Sequence, residues 1–67
     1  MKKNIKASNN LAEKRTDKKI TQEELASKVN VSIQTIQSIE KGKYKPSMSL
    51  AFAIASLLDE QVDSVFP

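Results

Sequence analysis

TQEELASKVNVSIQTIQSIE, residues 21–40, decides the fold of this chain. It reads as two short helices joined by one sharp turn. Thr21 stands three residues before Glu24, the spacing at which a hydroxyl and a carboxylate cap a helix start reciprocally. Leu25, Ala26 and Val29 then share one face. Asn30 is the expected stop, because asparagine tolerates the left-handed backbone that a tight turn demands. Val31 enters the turn and Ser32 caps the next helix, Ile33 to about Lys41, which Gly42 ends.

At 100° per residue, Ile36 and Ile39 point inward on that helix, while Gln34 and Ser38 point outward with Gln37 beside them. An outward edge of Gln and Ser has little to offer a protein core. It suits DNA base edges, which present donors, acceptors and a methyl group in the major groove. Lys41, Lys43 and Lys45 follow at once, where phosphates would lie.

Outward from this pair, a first helix is expected from about Asn10 to Lys18, capped by Asn9 or Asn10, with Ile20 closing it. Pro46 and Ser47 launch a fourth helix, Met48 to about Leu58, with Leu50, Ala51, Ile54, Leu57 and Leu58 as its buried stripe and Phe52 on another face. A last helical turn, Gln61 to Val65, offers Val62, Val65 and Phe66 as a plug. Strand-like alternation, repeats and Gly-rich phosphate loops are absent from the sequence. The expectation is a small all-α bundle of five helices over residues 9–67, preceded by a basic leader, residues 1–8.

Composition narrows the function. The chain has 67 residues, no Cys and no His, so disulfides and thiolate or imidazole metal sites are excluded. A catalytic centre would need Lys, Asp, Glu, Ser and Tyr alone, and no paired carboxylates flank a concave site; no enzyme, metal or cofactor is expected. A domain this small buries only about 60% of its unfolded surface, so association with a second copy is expected, and there is little room for a small-molecule effector. The apolar run from Leu50 to Leu58 is far short of the roughly 20 residues a membrane span needs. The basic start MKKNIKASNN has no apolar stretch behind it. A soluble, cytoplasmic chain is expected.

The net charge is +3, but its placement says more. Residues 1–19 are rich in Lys and Arg, whereas from Pro46 onward the only charges are Asp59, Glu60 and Asp63. The acidic third is expected to face away from DNA. Lys2, Lys3 and Lys6 read as a solvated leader instead of a groove-reading arm.

The segment Ile20 to Pro46, with its TQEELA opening, VSIQTIQSIEKGKY centre and KP exit, resembles the Cro/lambda-repressor-type helix-turn-helix family, also called XRE. The likeness extends through PSMSLAFAIASLL and the terminal VDSVF, about residues 9–66, and is strongest toward short stand-alone members. It implies a sequence-specific double-stranded DNA-binding transcriptional regulator, a repressor, reading the major groove with the helix Ser32–Lys41. Ser32, Ile33, Gln34, Gln37 and Ser38 would then approach bases. Gln22, Thr35, Lys41, Lys43, Tyr44 and Lys45 would meet phosphates, with Gln22 also bracing the recognition helix. Arg15 and Glu40 would form a structural ion pair between the first and third helices.

The resemblance leaves some residues with two readings. Ile33 stands where the family commonly has Arg or Gln; it either packs on thymine methyls or completes an apolar edge with Ile36 and Ile39. Tyr44 either donates to a phosphate or covers the core beside Pro46. Lys14 replaces a large aliphatic residue, so the first helix should pack less firmly. A homodimer on an approximately palindromic operator is implied, with Phe52, Val62, Val65 and Phe66 as candidates for the seam. The alternative is an antitoxin-like or adaptor module whose third helix meets a protein. Against it, the outward edge lacks aromatic anchors.

Overall fold

A computed structural model describes residues 9–67; the basic leader, with Lys2, Lys3 and Lys6, lies outside the described residues. Five helices follow in order: α1 Leu11–Asp17, α2 Gln22–Lys28, α3 Ile33–Glu40, α4 Met48–Leu57 and α5 Val62–Val65. No strand occurs among the described residues, and none of the helices is long and apolar enough to cross a membrane.

Local chemistry sets the helix starts. Thr21 accepts from the Glu24 N–H at 2.9 Å while Glu24 accepts from the Thr21 N–H at 3.0 Å, a complete capping box. Ser32 and Ser47 cap α3 and α4 through the Thr35 and Leu50 N–H groups. At α1 the two asparagines divide the work. Asn10 holds the cap position without capping; the side-chain Oδ1 of Asn9 accepts from the Leu11 N–H at 3.0 Å instead. Asn10 is then free to donate to the Ser64 carbonyl, and Asn9 to the Ile39 carbonyl. The start of α1 is thereby tied to α5 and to the end of α3.

The first four helices stop in one way. Lys19, Asn30, Gly42 and Asp59 have φ of 59°, 63°, 77° and 57°. Each N–H bonds the carbonyl three residues back, and the following residue bonds the carbonyl five back, as Ile20 does to Arg15 and Lys43 to Ser38. This Schellman geometry satisfies the last carbonyls of each helix. It also turns Ile20 and Val31 inward against the core.

Leu11, Leu25, Ile36, Ile39, Ile54, Leu58 and Val65 are fully buried, joined by Ala26 and Ala55. Ala55 belongs to the sealed face of α4, which the sequence stripe omitted, whereas Leu50 and Leu57 are only half-buried. Neighbours on two sides broaden the covered face: α2 and α5 both pack on α4. Lys14 lies half-buried on α1 with its Nζ 3.8 Å from Glu60 Oε1, a link to the segment before α5.

Candidate nucleic-acid interface

Burial of Ile36 and Ile39 fixes the rotation of α3, and the opposite edge is left to solvent. Ser32, Ile33, Gln34 and Gln37 are exposed; Thr35 and Ser38 are half-buried on the flanks. Ile33 is 37% exposed, so it stands outside the sealed Ile36–Ile39 seam. Gln34 has no hydrogen-bond partner among the described residues, so its amide is free to bond a ligand. Ser32 Oγ and Thr35 Oγ1 lie 2.9 Å apart, each hydroxyl positioned by the other.

A chain of polar contacts supports this edge from behind. Arg15 Nε donates to Glu40 Oε2 at 2.6 Å, with side chains only 13% and 9% exposed. Arg15 Nη1 also donates to the Ile20 carbonyl at 2.8 Å, closing the α1–α2 turn. Gln22 Nε2 donates to Glu40 Oε1 at 2.9 Å, and Gln37 Nε2 donates to Gln22 Oε1 at 3.3 Å. The sequence reading aimed Gln22 at a phosphate. Here its carbonyl and one N–H are engaged within the chain, leaving one N–H for an outside acceptor.

After α3 the chain turns at Gly42, and Lys41, Lys43 and Lys45 are all exposed. The Ser38 carbonyl holds this hook, accepting from the Lys43 and Tyr44 N–H groups at 2.9 and 3.3 Å. Tyr44 is 49% exposed and is not a core cover; it lines a surface groove of about 520 Å³ with Pro46, Met48, Val62 and Phe66. Lys45 and Asp63 line the same groove.

A helix-turn-helix family model matches residues 11–65. The chain belongs to this helix-turn-helix family. It is 53% identical over 47 residues to an uncharacterized HTH-type transcriptional regulator of Methanocaldococcus jannaschii, covering 70% of this chain and 71% of that one. A second such regulator, from Methanothermobacter thermautotrophicus, is 46% identical over 57 residues, 84% of this chain and 83% of that one. The immunity repressor protein of Bacillus phage phi105 is 39% identical over 51 residues, 76% of this chain but 35% of the repressor.

Within this helix-turn-helix bundle the candidate seam needs one correction. Val65 is fully buried and cannot contact a second copy through its side chain. It packs inward because the Asn10 N–H bonds its carbonyl at 2.8 Å, drawing α5 onto the core. Phe52 is 55% exposed, and Val62 and Phe66 are half-buried on the outer side. Met48, which the sequence reading left out of that candidate seam, is 68% exposed and shares a helical face with Phe52, four residues on.

Proposed function

We propose that this chain is a sequence-specific, double-stranded DNA-binding transcriptional regulator that acts as a repressor. α3 enters the major groove, Gln34 and Gln37 address base edges, and Ile33 packs on thymine methyls. Ser32 and Ser38 flank them. Thr35, Lys41, Lys43, Tyr44, Lys45 and the remaining N–H of Gln22 meet phosphates, which position the helix without reading sequence. The observation that carries this reading is the Gln34 amide, without a hydrogen-bond partner among the described residues, on an exposed edge whose opposite face is sealed by Ile36 and Ile39. Names given to the relatives, among them an immunity repressor, support the regulatory role.

The working unit is a homodimer. Two copies of α3 then sit in successive major grooves, about 34 Å apart, on an approximately palindromic operator. Met48, Phe52, Val62 and Phe66 form the seam, and no small-molecule effector is needed. A DNA-binding role places the chain with the chromosome, in the cytoplasm. Selection from a pool of random duplexes tests the reading: it should yield one word with two-fold symmetry. Capture of unrelated sequences, with affinity set by salt alone, would overturn it.

A further inference from the structure

Lys45 is the last basic residue of the chain; beyond it the only charges are Asp59, Glu60 and Asp63. Lys45, from the hook after α3, and Asp63, from the first turn of α5, are exposed and line one groove. Neither forms an ion pair among the described residues, where the pairs are Lys14–Glu60 and Arg15–Glu40. The groove they share also has Met48, Val62 and Phe66 in its wall, apolar side chains of the proposed seam.

A two-fold interface is self-complementary: the same patch on each copy meets its counterpart in reverse. Closing this groove on a second copy therefore brings like charges together, or crosses Lys45 of each copy to Asp63 of the other. Like charges facing across an interface are costly, whereas opposite charges fix its register and exclude wrong partners.

We infer that a second copy of the chain occupies this groove, held in register by Lys45 pairing with the partner's Asp63 and by Asp63 pairing with the partner's Lys45. The inference rests on the homodimer reading above and adds to it the side chains that decide which chains pair. Asp63 thereby acts in assembly, apart from any DNA contact. The Lys45 ammonium has three donors, so the pairing leaves it able to meet a phosphate as well.

Sedimentation without DNA tests this on the unaltered chain, Asp63→Lys, Lys45→Asp and an equimolar mixture of the two variants, each protein checked for cooperative thermal unfolding. Each variant alone places like charges opposite one another twice. Its self-association should weaken by about tenfold or more, the scale of two exposed pairs lost and replaced by repulsion. In the mixture the retained Lys45 faces the retained Asp63, and the introduced lysine faces the introduced aspartate. Dimer should therefore return at concentrations where each variant alone is monomeric. Neither a role in folding nor a phosphate contact would produce that rescue. An unaltered chain that stays monomeric would remove the homodimer reading and this inference together. A dimer that either variant leaves intact, or a mixture no more associated than its components, would overturn the inference alone.

Discussion

Arg15 Nε lies 2.6 Å from Glu40 Oε2, joining α1 to the last turn of α3. Both groups are almost enclosed, yet every buried side-chain nitrogen and oxygen among the described residues has a partner. An acid at the C-terminal end of a helix is disfavoured by the helix dipole. The guanidinium, with the Gln22 amide, offsets that.

Removing one member of this pair leaves the other charge enclosed without its partner. Glu40→Ala is expected to destabilise the domain by about 3 kcal/mol, read as a lower urea midpoint. The double replacement Arg15→Met, Glu40→Leu should cost less than either single change, because no unpaired charge remains. A single-variant loss under about 1 kcal/mol, the level of an exposed pair, would contradict this account of the contact.

Helix endings offer a route to greater stability. Lys19 and Asp59 hold left-handed backbone without glycine's freedom, a conformation that costs a side-chain-bearing residue on the order of 1 kcal/mol. Lys19→Gly should therefore stabilise by roughly 0.5–1 kcal/mol, part of the gain being offset by glycine's larger unfolded-state entropy. Asn30→Gly should gain less, since asparagine accepts this geometry more readily. Equal urea midpoints for Lys19→Gly and the unaltered chain would refute the strain assignment.

In the proposed homodimer the outer face of α4 and α5 forms the seam. Met48 and Phe52 are 68% and 55% exposed, so Phe52→Glu leaves the core intact. It is expected to give a monomer by sedimentation with an unchanged unfolding midpoint measured on monomer. It should also lose most affinity for a full operator while keeping half-site contacts. An unaltered chain that binds one copy per site would remove the seam.

Features encoded within a few residues were legible in the sequence. The Thr21–Glu24 box, the Asn30 turn, the Ser32 cap and the Gly42 stop each depend on neighbours, and the structure has them all. Contacts between helices were less accessible. The Gln22–Gln37 bond depends on how α2 crosses α3, which no spacing reveals, and the inward turn of Val65 depends on α1 anchoring α5. The end of α1 was placed near Lys18, but lysine at a left-handed position carries no local signal, so the turn geometry at Lys19 was not legible. Asn9 and Asn10 were ambiguous as caps because adjacent asparagines offer the same side-chain acceptor; the division of labour follows from the partners Ile39 and Ser64, distant in sequence.

The two kinds of DNA contact should separate by mutation. Lys43→Ala should weaken binding to all duplexes by a similar factor and lower the slope of log affinity against log salt by about 0.9.

Gln34→Ala tests the central claim most directly, with affinity measured on the selected operator, on single-base variants of it and on a random duplex. Discrimination at one or two particular base pairs should fall by about 1–3 kcal/mol while affinity for the random duplex stays unchanged. Equal losses on the operator and the random duplex would contradict a base-reading role for the exposed edge of α3.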